Sequence, residues 1–187
     1  MTHKRTHYEF VIIGAGAAGS WMFNRLTPRG KTLLVEKQAD TRGKQTHQAK
    51  IICKHCFPWL SDIPWKNSTI FPRNHLTSQY RSRDQHAVVD GEEFDTNLGK
   101  IVNLSEWITW NLNQGETKGG TIQWNTEIQS QTQQEDKVIL KTTEGTKIQA
   151  KLVILATGAR RGDLNAEFGL PPPEIRHAIS MTFFGYQ

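Results

Sequence analysis

The chain opens on a short apolar run, Tyr8-Glu9-Phe10-Val11-Ile12-Ile13, which halts at Gly14. A run of this kind predicts a parallel strand buried on both faces. Good helix formers follow from Ala17 to Leu26, with Trp21, Met22, Phe23 and Leu26 as the bulky positions, and Pro28 and Gly30 close the helix. Thr-Leu-Leu-Val, inside Lys31–Lys37, is a second buried strand. The opening thus reads strand, helix, strand, the size of one βαβ unit.

The pattern then loses its period. Residues 38–67 are rich in His, Lys, Gln and Pro and predict a long connection with short helical pieces; connections of this length tend to carry function or move. Strand-like pieces are scattered over 68–95, among them Ala87-Val88-Val89 ahead of a turn at Asp90-Gly91. Ser105 is placed to cap a helix over Glu106–Asn113 with Trp107, Ile108 and Leu112 on one face. Gly119-Gly120 introduce a strand, Thr121–Ile128. Lys137–Lys141 and Thr146–Lys151 flank Glu144-Gly145 as a hairpin. Lys151-Leu152-Val153-Ile154-Leu155-Ala156 is a further buried strand, closed by Thr157-Gly158, and Pro171, Pro172 and Pro173 mark a loop. No internal repeat and no second complete domain is visible.

Composition narrows the class. Hydrophobic residues make up 36% and charged residues 22% of 187, enough for one real core under a wet, polar surface. The net charge of +5 and a pI near 9.3 suit an anionic cofactor, a phospholipid surface or nucleic acid. No long Lys/Arg run supports a nucleic-acid partner, and the one local cluster needs Arg81, Arg83, Arg160 and Arg161 to meet in space. No apolar stretch approaches membrane-spanning length, and the polar N-terminus leads into a strand rather than a signal sequence. The Asn67-Ser68-Thr69 and Asn103-Leu104-Ser105 acceptor patterns therefore read as accidental. Two cysteines make no disulfide framework, and the expected compartment is the cytoplasm.

Gly14-Ala15-Gly16-Ala17-Ala18-Gly19 is G-x-G-x-x-G, set directly after a strand and opening a helix. The first glycine permits the tight turn, the second lets a pyrophosphate approach the main chain, and the third lets helix pack on strand. Free N–H groups and the positive end of the helix then hold the phosphates. Glu36 closes the second strand, where a carboxylate accepts hydrogen bonds from ribose hydroxyls, which favours FAD or NAD over NADP. NAD dehydrogenases continue with further βα units at short intervals. Here the second strand leads into a long polar excursion, a helix and a meander, which favours FAD.

The start Val11-Ile12-Ile13-Gly14 to Gly19, the strand Leu34-Val35-Glu36-Lys37 and the segment Leu152 to Gly158 resemble FAD-dependent oxidoreductases of the glutathione-reductase superfamily. They resemble the branch holding geranylgeranyl reductases, aromatic hydroxylases and flavin-dependent halogenases. Within it, Leu98-Gly99-Lys100-Ile101-Val102 with Glu106-Trp107, then Gly119 to Ile128 and Val138 to Gly158, are most similar to geranylgeranyl reductases. Those enzymes saturate isoprenoid chains of archaeal lipids or of chlorophyll and tocopherol precursors.

The resemblance implies an α/β fold: a Rossmann-like FAD-binding domain, 1–187, with a central parallel sheet, an added β-meander, and a substrate domain largely missing. Residues 38–100 would be an insertion contributing to a partial substrate or cap region. Gly14, Ala15, Gly16, Ala17, Ala18 and Gly19 would surround the pyrophosphate, and Glu36 and Lys37 the adenosine ribose. Ile128 would lie beside the adenine, and Ala156, Thr157 and Gly158 close to the cofactor. Two departures stand out. Leu104 occupies the place where a basic residue commonly precedes the middle helix, with Lys100 near. The family's second flavin motif, a Gly-Asp pair well downstream, is not reached by Gln187.

Lesser candidates have plain alternatives. Cys53-Lys54-His55-Cys56, with His47, offers too few ligands for a closed zinc site and lacks a thioredoxin context. The resemblance adds a flavin-facing cysteine, and a residue without special role is the foremost reading. Trp107 and Trp110 read as core and cover, Trp59 and Trp65 as a local cluster or a tunnel lining, Arg160-Arg161 as solvated. Three functions are carried forward: a flavin-dependent reductase of isoprenoid double bonds, completed by a partner chain or dimer and touching a membrane surface peripherally; a flavin hydroxylase or halogenase; and a truncated, non-catalytic module that binds flavin or adenine nucleotide.

Overall fold

The structure, a computed structural model, describes residues 7–40, 42, 49–52, 73–75, 77–81, 86–90, 99–158 and 162–170. Along the chain these form β1 (His7–Ile13), α1 (Ala17–Leu26), β2 (Thr32–Val35), β3 (Ala49–Ile52), β4 (Arg73–His75), β5 (Thr77–Arg81), β6 (His86–Asp90) and β7 (Gly99–Asn103). There follow α2 (Leu104–Thr117), β8 (Thr121–Gln123), β9 (Ile128–Gln133), β10 (Val138–Thr142), β11 (Lys147–Leu155) and α3 (Gly162–Glu167). The chain divides into two units, Met1–Gly43 with Ile108–Ser180, and Lys44–Trp107 with Met181–Gln187.

The first unit is built on a six-stranded sheet in the order β8-β2-β1-β11-β10-β9. β8, β2, β1 and β11 run parallel, and β11, β10 and β9 form an antiparallel meander on one side. This is the expected α/β architecture with its added meander. β1 lies between β2, which follows it through α1, and β11, which arrives from far along the chain. The carboxyl end of β1 is therefore a topological switch point, where ligands bind in open α/β sheets.

Strands buried on both faces explain the unbroken apolar runs. Val11, Ile13, Leu33 and Val35 turn to one side and pack with Leu140, Ile148, Ala150 and Leu164. Ile12 and Leu34 turn to the other and pack with Ala15, Phe23 of α1 and Leu112 of α2. Phe23 is fully buried, a position worth about 1.5–3 kcal/mol of transfer free energy. Two glycines make room for its ring: a Cβ on Gly115 would lie 2.2 Å from it and one on Gly120 2.5 Å. Between the same helices, Asn24 Nδ2 donates to Asn111 Oδ1 at 2.9 Å and Lys118 Nζ to Asn24 Oδ1 at 2.5 Å. A buried amide pair of this kind is tolerated only because its donors and acceptors are matched.

Several expected boundaries move. The helix predicted over Glu106–Asn113 extends to Leu104–Thr117, so Ser105 lies inside it rather than at its cap. The strand predicted over Thr121–Ile128 is two strands. It breaks at Trp124–Glu127, where Asn125 takes φ +52°, a left-handed conformation that asparagine tolerates. The break has a cause in hydrogen bonding: Asn125 N donates to Gln38 O at 3.0 Å and Thr126 N to Glu36 O at 2.9 Å, so this segment leaves the ladder to hold the end of β2. The hairpin arm and the Leu152–Ala156 strand prove continuous. β11 pairs antiparallel with β10 as far as Ala150 and parallel with β1 as far as Leu155.

In the second unit, β3, β7 and β4 form an antiparallel sheet and β5 and β6 a hairpin. Within the connection expected to hold short helical pieces, the described segment Ala49–Ile52 is a strand; adjacent isoleucines favour that state. β6 contains the Ala87-Val88-Val89 run. Cys53, Cys56, His47, Trp59, Trp65, Arg83, Arg160, Arg161 and the Pro171–Pro173 loop lie outside the described residues.

Candidate functional site

The turn from β1 into α1 is held from three sides. Gly14 N donates to Val35 O at 2.8 Å, and Ala156 N donates to Ile13 O at 2.9 Å, so both neighbouring strands fix its start. Gly14 takes φ +107°, and a Cβ there would meet the carbonyl oxygen of Ala156 at 2.6 Å. On Gly19 a Cβ would fall 1.8 Å from the Gly14 oxygen and 3.2 Å from the Ala156 Cβ. Both glycines are thus demanded by the chain itself: one for its conformation, one for the closeness of helix to strand.

Gly16 differs. Its φ of −72° and ψ of −169° are open to any residue, and nothing lies within 4 Å of where its Cβ would stand. It is the N-cap of α1 and exposed, as is Ala18, and α1 has no side-chain cap and no acidic residue in its first turn. Neither packing nor backbone geometry calls for glycine at this position. The space above it is open to solvent. The N–H groups of a helix's first turn make that hollow suited to an anion.

Glu36, just past β2, reaches this turn. Its Oε2 accepts from Ala15 N at 2.7 Å and its Oε1 from Gln38 N at 2.9 Å. Its own main chain is fastened as well, with N donating to Gln123 O at 2.9 Å and O accepting from Thr126 N. The carboxylate therefore sits beside the glycine turn in a fixed pose. A carboxylate oxygen accepts more than one hydrogen bond, so each retains capacity for a hydroxyl. Lys37 is exposed beside it.

Sequence reasoning overlooked Arg42, in the chain after β2. Arg42 donates through Nε to Asp40 at 2.8 and 3.0 Å and through Nη1 to Asn113 at 3.3 Å, and it also pairs with Glu116 of α2. Its guanidinium lies over the Trp124 ring, 5.7 Å from the centroid. No spacing rule flags such a residue, because its partners come from three separate segments.

The fold brings Gly14, Ala15, Gly16, Ala17, Ala18, Gly19, Glu36, Lys37, Ala156 and Thr157 to one corner at the strand ends. Gly158 follows at φ +70° with open space at its Cβ position. Ile128 opens β9, and its side chain is turned into the core at 4% exposure. Trp107 is buried and Trp110 half-buried on α2. No group of three or more metal-binding side chains occurs among the described residues, and no described helix is long and apolar enough to cross a membrane.

Sheet order, switch point, glycine turn and fixed acid together define a Rossmann-like dinucleotide-binding domain of the oxidoreductase type. The chain belongs to the pyridine nucleotide-disulphide oxidoreductase family, which matches residues 8–177. No curated protein matches by sequence. Among solved structures the chain is similar to a geranylgeranyl bacteriochlorophyll reductase-like protein from Thermoplasma acidophilum, with TM-score 0.68 and 16% identity over 89% of this chain and 43% of that one. It is similar to the p-nitrophenol 4-monooxygenase PnpA from Pseudomonas putida DLL-E4, with TM-score 0.65 and 18% identity over 88% and 44%. The halogenase PltM in complex with phloroglucinol and FAD gives TM-score 0.65 and 13% identity over 87% and 36%. The shared feature is the fold of FAD-dependent oxidoreductases and monooxygenases. The chain spans less than half the length of these structures.

Proposed function

We propose that this chain binds FAD at the β1–α1 turn and forms the cofactor-binding part of a reductase that saturates isoprenoid carbon–carbon double bonds. The observation that carries the binding is Gly16, a glycine that neither its backbone angles nor its surroundings require. The pyrophosphate would lie over Gly16 and Ala18 against the first-turn N–H groups of α1. The ribose would meet Glu36, with Lys37 beside it. Ile128 would meet the adenine through its main chain, and Ala156, Thr157 and Gly158 would pass along the cofactor. FAD, when bound, supplies hydride chemistry, while the protein supplies orientation and electrostatics.

The reductase reading is supported by the likeness to the Thermoplasma acidophilum protein and by the segments that resemble geranylgeranyl reductases. An isoprenoid lipid substrate, peripheral contact with a membrane, a partner chain or second copy completing the site, and a cytoplasmic setting belong to the same proposal. A second reading, flavin hydroxylase or halogenase, is favoured by the likeness to PnpA and PltM. A third reading is a non-catalytic flavin or adenine-nucleotide module. Purified chain titrated with FAD tests the shared core, with a bound-flavin absorbance spectrum expected. Absence of any flavin binding defeats all but a bare nucleotide module. Reduction of a polyprenyl double bond, against oxygen-dependent NAD(P)H consumption with a phenolic substrate, separates the two enzymes.

A further inference from the structure

We infer that Arg42 is a positioning residue for the adenosine end of the site, acting through Glu36 rather than by touching the nucleotide. The inference rests on the reading of Glu36 as the ribose acid. Glu36 ends β2, and the chain beyond it must be stopped from swinging away for the carboxylate to stay beside Ala15. Hydrogen bonds from Asn125 to Gln38 and from Thr126 to Glu36 tie that chain to the segment after β8. Trp124, in the same segment, packs against the core formed by Ile12, Phe23, Leu34 and Leu112. Arg42 closes the ring: it lies over Trp124 and bonds Asp40 on its own loop and Asn113 and Glu116 on α2. The circuit runs Glu36, Gln38, Asp40, Arg42, Trp124 and back to Glu36.

Electrostatics favour this role over phosphate contact. The guanidinium is turned to two carboxylates and a side-chain amide, with its face covered by an indole, and its side chain is 28% exposed. A planar fork held in this way acts as a rigid brace, which a flexible ammonium does not reproduce. Glu36 is fixed on the inside by Ala15 N and from the outside by this brace.

The test is calorimetric ADP binding to the full chain, comparing wild type with Arg42→Gln, Glu116→Gln, Glu36→Gln and the double variant Arg42→Gln/Glu36→Gln. Arg42→Gln is expected to weaken ADP roughly tenfold, and in the Glu36→Gln background to cost nothing further, since coupled residues are non-additive. Glu116→Gln, which removes one exposed partner and keeps the arginine, is expected to weaken ADP less and in the same direction. A merely structural role would lower the bound fraction without changing the dissociation constant, and a direct phosphate contact would make the losses additive. Additive losses, or Arg42→Gln or Glu116→Gln binding ADP as wild type does, overturn the inference alone. Should Arg42→Gln not fold, Glu116→Gln with and without Glu36→Gln completes the same cycle. A wild-type chain that binds no ADP overturns the ribose reading together with it.

Discussion

Gly14 and Gly19 are so close that a single methyl group on Gly19 would lie 1.8 Å from the Gly14 carbonyl oxygen. No rotamer relieves this, because both partners are main chain. Gly19→Ala is expected to destabilise the fold by about 3 kcal/mol or more, at the top of the overpacking range, read as a lowered melting temperature. Gly16→Ala, three residues away, meets nothing within 4 Å. Its unfolding free energy should match wild type within about 0.5 kcal/mol, while FAD affinity is expected to fall at least tenfold if the pyrophosphate lies over Gly16 as proposed. The pair separates a glycine kept for folding from a glycine kept for a ligand.

Glu36→Gln keeps the shape of the side chain but replaces one acceptor with a donor. Ala15 N and Gln38 N both donate to the carboxylate, so the amide nitrogen must face another N–H. Loss of one charged hydrogen bond, about 1.5–3 kcal/mol, is expected in denaturant unfolding. Nucleotide affinity should fall as well, because the ribose hydroxyls lose the same acceptor.

At Gly115 two local rules oppose each other. Alanine in the interior of α2 would gain about 1 kcal/mol of helix propensity, yet its Cβ would stand 2.2 Å from the Phe23 ring. The ring is fully buried and cannot step aside. Gly115→Ala is therefore expected to lower stability by about 1–3 kcal/mol, measured by urea unfolding. An increase in stability would show that α1 and α2 slide apart freely.

Tyr8 is buried at 6% exposure, and desolvation raises its phenol above the ordinary 10.0. Its contribution to stability is intact below pH 10.0. As pH climbs from there toward the raised folded value, the unfolded chain sheds its proton first and the folded state loses ground. Tyr8→Phe is expected to flatten the fall in melting temperature above pH 10.0 and to leave it unchanged near neutrality.

Local features were legible in the sequence and cross-chain ones were not. The β1–α1–β2 unit could be read residue by residue, because apolar runs, helix formers and the glycine spacing each act within a few positions. The packing of Ala156 and Thr157 against the turn was not read from the sequence, which gave only small residues at a strand end. Nor was the break at Asn125: the residues from Thr121 to Ile128 have strand character throughout, and it is the distant main chain of Glu36 and Gln38 that pulls them off the ladder. Arg42 escaped for the same reason, as one cation in a polar stretch whose partners, Asp40, Asn113, Glu116 and Trp124, no period connects. The side chain of Ile128, which the resemblance would set beside the adenine, belongs to the core.

β11 is a single nine-residue strand with two masters, the meander at its start and β1 at its finish. Its hairpin end is set by the turn at Gly145, which takes φ +85°; its other end delivers Ala156 against Gly14. A slip of one residue at the hairpin would carry the far end about 3.3 Å along the sheet and turn every side chain to the wrong face. The surface turn at Glu144-Gly145 thus works as a length gauge for the glycine-turn corner, and a one-residue insertion there should be felt at the opposite rim of the sheet.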